Sequence, residues 1–172
     1  MNQFAVDRAG LTMTLLSPLR DDEILSGKAA GNALIVAVPA IISVTAALLL
    51  FGGSAPGLWL TLVLGLVSIQ LLVAPIAAMA SATFPRAVDM NSIGRGSNAH
   101  AAAGLIGLLA FFVSAAAPAL LALLAVRLLD RPSLAPVLAG AWCVVAYVGG
   151  RLLFIIARRV FASRRENLAM VR

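Results

Sequence analysis

The sequence predicts an all-α membrane protein whose chain crosses the bilayer about four times, and three observations support this class. Of the 172 residues, 62% are hydrophobic and only 12% are charged, whereas soluble domains carry about 25% charged residues. The mean hydropathy is +1.02. The apolar residues also form four long, almost uncharged runs rather than the periodic faces of a soluble core.

Each apolar run has the length that a membrane helix needs. A helix that rises 1.5 Å per residue needs about 20 residues to cross roughly 30 Å of hydrocarbon. The predicted spans are residues 29–51, 58–82, 101–126 and 134–157. Turn-forming segments rich in Gly and Pro or in polar residues, at 52–57 and 128–133, separate the members of each pair. We therefore predict two helical hairpins.

Three polar segments flank the spans: an amphipathic segment at 1–28, a loop at 83–100 and a basic tail at 158–172. Ten of the 13 Lys and Arg residues lie in these segments, whereas two lie between the third and fourth runs and Arg151 lies within the fourth. Because cytoplasmic loops retain positive charge, we predict that both termini and the 83–100 loop are cytoplasmic. The chain is then a multi-pass protein of the cell membrane.

The net charge of +6 would suggest nucleic acid as a partner of a soluble protein. Here the basic residues flank apolar runs, so anionic membrane lipids are the expected partners and no nucleic acid is expected. The first residues lack the basic and apolar regions of a secretory signal, so insertion is expected to begin with the first apolar run. The single cysteine, Cys143, lies in an apolar run, and we interpret it as a packing residue.

The segment before the first span predicts a helix, a corner and a second helix. Leu11, Leu15 and Leu16 give a short helix one apolar face, and Ser17 and Pro18 end it. Ser17 is then predicted to cap a second helix with Pro18 at its first position. Three acidic residues would lie near the positive end of that helix: Asp21, Asp22 and Glu23. The pattern alone is also compatible with a helix lying on the lipid surface.

Two polar stretches resemble parts of ABC-2-type transporter permeases. The first combines Asn-x-Phe-x-x-Asp-Arg-x-Gly, Leu-Leu-Ser-Pro and Glu-Ile-Leu-x-Gly-Lys, in order, within residues 2–28. It resembles the connection between the second and third membrane helices of that family. The second combines Phe-Pro-Arg-Ala-Val-Asp with Gly-Arg-Gly-Ser-Asn-Ala-His within residues 84–100 and resembles a later loop in a bacterial subgroup. The resemblance implies a bacterial cytoplasmic membrane.

The resemblance also implies that the first stretch is a coupling helix. In that family this helix docks on a separate ATP-hydrolysing subunit and transmits its closure to the membrane helices. The residues implied in docking are Asp7, Arg8, Leu11, Leu15, Leu16, Ser17, Pro18, Arg20, Asp21 and Glu23. The residues that carry the second motif are Phe84, Pro85, Arg86, Asp89, Gly94, Arg95, Gly96, Asn98 and His100.

The expected function is therefore the permease part of an exporter driven by a separate ABC ATPase subunit. Permeases of this family usually carry two further membrane helices before the coupling helix, so we expect another permease subunit or an N-terminal half to supply them. The chain is not expected to be an enzyme, because Gly27 and Lys28 are followed by alanine and no phosphate-binding loop occurs. The alternative is a small four-helix scaffold or accessory subunit without transport activity.

Two polar residues within the spans are candidates for specific roles. Gln70 is expected to hydrogen-bond across helices. Arg151 either snorkels to the cytoplasmic interface or has a functional role. The small residues along the spans, Gly149 and Gly150 among them, are expected to allow tight helix packing rather than to line a ligand site.

Neither a metal nor a cofactor is expected. His100 is the only histidine, and we interpret it as a polar loop residue because no cysteine or carboxylate stands at ligand spacing. The glycines around Arg95 are typical of an anion-binding turn or of a turn that caps the third span. We interpret them as the capping turn.

Overall fold

A computed structural model describes residues 18–52, 56–84 and 101–169, with side chains as far as Arg164. Over these residues the chain forms four long helices, which confirms the predicted all-α fold. They are α1 (Asp21–Phe51), α2 (Pro56–Thr83), α3 (Ala101–Leu123) and α4 (Ala135–Ala169). A π-helical turn, Leu124–Leu128, continues α3, and a 3-10 turn, Pro132–Leu134, leads into α4. By length and composition, all four helical segments can cross a membrane.

The first and last helices are longer than a bilayer requires. α1 has 31 residues and α4 has 35, which correspond to lengths of about 46 Å and about 52 Å at the usual helical rise. The hydrocarbon core is only about 30 Å thick. α1 therefore begins before the apolar run at residue 29, and α4 continues through most of the basic tail that follows residue 157.

The start of α1 differs from the predicted start. Ser17 lies outside the described residues, Pro18 lies in a bend, and the helix begins at Asp21 with Arg20 as its N-cap. The prediction that Pro18 occupies the first helical position is therefore wrong. The reason is local: the Glu23 carboxylate accepts the backbone N–H of Arg20 at 2.8 Å, and this favours a helix that begins after Arg20. The acidic first turn was predicted correctly.

α2 and α4 run parallel and approach closely along their length. At one end, a Cβ atom built on Gly57 would lie 3.5 Å from Pro136. Farther along, a Cβ atom on Gly150 would lie only 2.5 Å from the backbone oxygen of Leu71. Such a short distance means that the two backbones meet where glycine leaves room, which confirms the packing role predicted for Gly150.

α3 packs antiparallel against α2. A Cβ atom on Gly65 of α2 would lie 3.4 Å from the ring of Pro118, which is buried within α3. Gly107 and Ser114 are also buried in α3, whereas Gly104 faces open space. Small residues therefore line the contacts of α3 only on one side of the helix.

α1 contacts the other described helices chiefly through its first turns. Ile24 and Leu25 are 4% and 1% exposed. Farther along the helix, Leu34, Ile35 and Leu49 are 69%, 71% and 82% exposed. Beyond its first turns no residue of α1 is buried, and most of its large apolar side chains are exposed.

Candidate functional site

The candidate site lies where α1 begins, beside the ends of α2 and α4. Its apolar part, here called the Phe161 cluster, contains Ile24, Leu25, Ala78, Ala82 and Phe161. All five residues are at most 4% exposed, and the Phe161 ring is fully buried. Phe154 and Val160 pack against the cluster from α4. One aromatic side chain from α4 thus fixes the first turns of α1 against α2.

A polar pocket adjoins the first turn of α1. It has a volume of about 470 Å³ and is lined by Arg20, Asp21, Asp22 and Arg158. The first-turn carboxylates are favourably placed because the N-terminus of a helix carries partial positive charge. Arg158 brings a guanidinium from α4 to the same pocket. The site therefore combines an apolar contact with a charged rim, which are the usual parts of a small protein interface.

The ion pairs at this rim are exposed. Arg20 Nη2 lies 3.5 Å from Glu23 Oε1, and Arg20 Nε lies 3.8 Å from Asp22 Oδ1. The Arg20 side chain is 75% exposed, and exposed pairs contribute at most about 1 kcal/mol to stability. These charges therefore add little to the anchoring of α1, and they remain accessible to a partner.

The structure places only part of the predicted docking segment. Pro18 and Arg20 are exposed, Asp21 is half-buried and Glu23 is exposed, and all four lie at or beside the start of α1. The remaining predicted docking residues lie outside the described residues: Asp7, Arg8, Leu11, Leu15, Leu16 and Ser17. The described residues thus follow the predicted apolar ridge, which is the face formed by Leu11, Leu15 and Leu16.

Only the first residue of the predicted loop motif is described. The backbone N–H of Phe84 donates to the carbonyl oxygen of Ala80 at 3.0 Å, and Phe84 therefore extends the end of α2 by one hydrogen bond. The other motif residues lie outside the described residues: Pro85, Arg86, Asp89, Gly94, Arg95, Gly96, Asn98 and His100. Phe84 nevertheless places the start of this loop one turn beyond Ala80 and two residues beyond Ala82, at the same end of the bundle as the Phe161 cluster.

The two polar residues predicted within the spans have different surroundings. Gln70 is half-buried in α2. Arg151 is exposed on α4, and its guanidinium carbon lies 6.0 Å from the centre of the Tyr147 ring, one turn earlier. This distance is at the outer limit of a cation–π interaction. The guanidinium therefore lies beside the preceding turn of α4.

Two of the buried hydroxyl groups of α2, those of Thr61 and Ser68, are used within the helix. Thr61 Oγ1 donates to the Gly57 carbonyl at 2.8 Å, and Ser68 Oγ donates to the Leu64 carbonyl at 2.7 Å. Both residues are at most 6% exposed. Their donors are therefore engaged locally and do not bridge α2 to another helix.

The burial of Phe161 was not predicted, because Phe161 lies within the basic tail. The signal was present: Val160 and Phe161 interrupt two pairs of arginines, and a helix that continued through the tail would turn them toward the bundle. The burial of the two tryptophan N–H groups was not predicted either. Trp59 and Trp142 have buried Nε1 atoms without a hydrogen-bond acceptor among the described residues.

Within the described ranges, no group of three His, Cys, Asp or Glu side chains could hold a metal ion. The site at the start of α1 combines an apolar anchor with a charged rim. No family model, curated protein or solved structure matches the chain. The four helices themselves establish the fold.

Proposed function

We propose that the chain is the membrane-spanning permease part of an ABC-2-type exporter, coupled to ATP hydrolysis on a separate subunit. One observation carries the proposal: the motif that resembles a coupling helix leads directly into the turns of α1 that are buried in the Phe161 cluster. A docking segment needs such a connection, because movement of the docked subunit has to reach the membrane helices.

The burial of α1 supports this transmission. Leu25 is 1% exposed and contacts the cluster that contains Phe161 of α4. Because packed side chains resist separation, displacement of residues before Asp21 would be carried to α2 and α4 through these contacts. The charged residues around Arg20 remain at the rim, where a partner subunit can reach them.

The exposed length of α1 supports a role beside another membrane subunit. Leu34, Ile35 and Leu49 are more than two-thirds exposed, and in a bilayer these side chains would contact lipid or another membrane helix. A separate permease chain, or an N-terminal half that carries the two further helices, could pack along this part of α1.

The proposal is tested by changing the predicted apolar ridge. Leu15→Asp would place an unpaired charge at the docked surface and weaken docking by several kcal/mol. The matched control is Leu19→Asp, because Leu19 is 47% exposed and lies outside the implied docking set. Each chain would be purified from its native membrane in mild detergent, and the recovery of an ATPase with a phosphate-binding loop would be measured.

We expect the parent and the Leu19→Asp variant to recover the ATPase together with vanadate-sensitive ATP hydrolysis. The Leu15→Asp variant should reach the membrane in normal amounts but lose both signals. Undiminished recovery with Leu15→Asp would show that residues 7–18 are not the docking element. A parent chain that recovers no such ATPase would contradict the exporter proposal itself.

A second candidate is a four-helix scaffold or accessory subunit without transport activity. The observation that favours it is the local use of the buried hydroxyls of Thr61 and Ser68, which donate to their own helix. A scaffold would recover membrane partners but no ATPase, and its Leu15→Asp variant would lose only lipid attachment. The same purification therefore separates the two candidates.

A further inference from the structure

An apolar groove of about 520 Å³ lies near the end of α3 that is remote from the Phe161 cluster. Leu120, Leu124 and Leu128 line it along α3 and the π-helical turn, Ala117 lies nearest the middle of the span, and Trp142 contributes from α4. Its volume falls within the roughly 300–1,000 Å³ of typical ligand sites. The groove is therefore large enough for a lipid chain.

The length of the groove matches one leaflet of a membrane. From Ala117 to Leu128 the helix rises roughly 16 Å at the usual helical spacing. The hydrocarbon core is about 30 Å thick, so one leaflet accounts for about half of it. The groove thus runs from the membrane surface, where α3 ends, to the middle of the bilayer.

Two arginines, Arg127 and Arg131, lie at the surface end of the groove. Arg127 belongs to the π-helical turn, and Arg131 follows it by four residues. The backbone N–H of Arg131 donates to the Ala125 carbonyl at 2.9 Å, and Asp130 adopts a positive φ of 49°, so the chain turns tightly here. Both arginines are exposed. With Asp130 included, this turn carries a net charge of +1.

Trp142 contributes an indole ring to the groove wall. Its Nε1 atom is buried and has no acceptor among the described residues, so this donor does not face the open groove. Trp142 lies seven residues into α4, about 10 Å from the start of that helix. The ring therefore lies at the depth of an acyl chain, where it provides apolar contact.

We propose that this groove is a site for one phospholipid with an anionic headgroup. The acyl chain lies along α3 and against the Trp142 ring, and the phosphate lies near Arg127 and Arg131. Moving an acyl chain from bilayer to groove gives almost no hydrophobic gain, because lipid tails are as apolar as leucine. Selectivity must therefore come from the headgroup, and this inference does not depend on the proposed function.

Trp142 itself can report occupancy of the groove. In a Trp59→Phe chain, Trp142 is the only tryptophan. The protein would be reconstituted into phosphatidylcholine vesicles that contain a small fraction of phosphatidylglycerol with brominated acyl chains, which quench a tryptophan in contact. The comparison uses the same fraction of brominated phosphatidylcholine. We expect the anionic lipid to be enriched roughly five- to thirtyfold at Trp142, the factors that one and two basic residues give at a membrane surface.

Two variants assign the preference to the groove. Arg127→Gln combined with Arg131→Gln should abolish it, whereas Arg159→Gln combined with Arg164→Gln, at the other end of α4, should leave it unchanged. Ala117→Leu should lower quenching by both lipids, because it fills the inner end of the groove. Equal quenching of the parent by both lipids would overturn the proposal. So would equal loss in the two arginine pairs, since that would show attraction by the whole protein.

Discussion

The close contact between α2 and α4 predicts that Gly150 cannot be replaced without separating the helices. In Gly150→Ala the new Cβ atom would lie 2.5 Å from the Leu71 oxygen, whereas ordinary contact begins at 3.4 Å. The backbones must therefore part by about 0.9 Å, or the side chain must distort its helix. The matched control is Gly140→Ala on the same helix, where nothing lies within 4 Å of the new atom.

The magnitude follows from two opposing effects. Replacement of glycine by alanine in a helix interior stabilises by about 1 kcal/mol, and Gly140→Ala should show this gain alone. Overpacking of a tight contact costs about 1–3 kcal/mol, so Gly150→Ala should be neutral or destabilised by as much as about 2 kcal/mol. The difference between the two variants, about 1–3 kcal/mol, isolates the contact with Leu71.

The measurement is the free energy of unfolding in mixed micelles of dodecyl maltoside and sodium dodecyl sulfate. Tryptophan fluorescence is a suitable signal, because Trp59 lies on α2 and Trp142 on α4. Far-ultraviolet circular dichroism should show that both folded variants keep the helix content of the parent. If Gly150→Ala were stabilised as much as Gly140→Ala, the close approach of α2 and α4 at this point would be refuted.

The remaining predictions concern anchoring and topology. Phe161→Ala should lower the free energy of unfolding by roughly 3–5 kcal/mol, because it empties a fully buried site. The control, Phe112→Ala on the exposed face of α3, should change this free energy little. Equal effects of the two substitutions would contradict the anchoring role of Phe161. In a Cys143→Ala background, an impermeant maleimide added to intact cells should label a cysteine at exposed Ser133 but not one at exposed Ser163. The reverse pattern would invert the predicted topology.

The membrane spans could be predicted because their signal is carried by composition alone. A long apolar run such as residues 29–51 is stable only in an apolar environment, and a helix satisfies the backbone hydrogen bonds of the run there. The ends of the helices were less predictable, because polar flanks satisfy their hydrogen bonds in several ways. Glu23 decides the start of α1 by accepting the Arg20 N–H, and this choice depends on side-chain geometry rather than on residue type.

The contacts between helices could be predicted only in kind. The sequence indicated that Gly150 allows close packing, but it could not identify Leu71 as its neighbour, because small residues occur on several faces of α2. Phe161 shows the same difficulty in another form. The burial of Phe161 requires that α4 continue past Arg159 and that the first turns of α1 pack against it. The residues around Phe161 in the sequence do not indicate the second of these contacts.

In the proposed exporter, docking of the ATPase and transmission of its movement depend on different residues. α2 and α4 contact each other along their length, whereas α1 is anchored at the end nearest the docking segment, where Leu25 meets Phe161. Leu15→Asp should therefore remove the ATPase, and Phe161→Ala should keep the ATPase bound while ATP hydrolysis no longer drives transport. A Phe161→Ala chain that transported normally would show that movement reaches the membrane by another route. Two substitutions, one in the proposed docking segment and one in the α4 side chain that anchors α1, thus test the two steps of coupling separately.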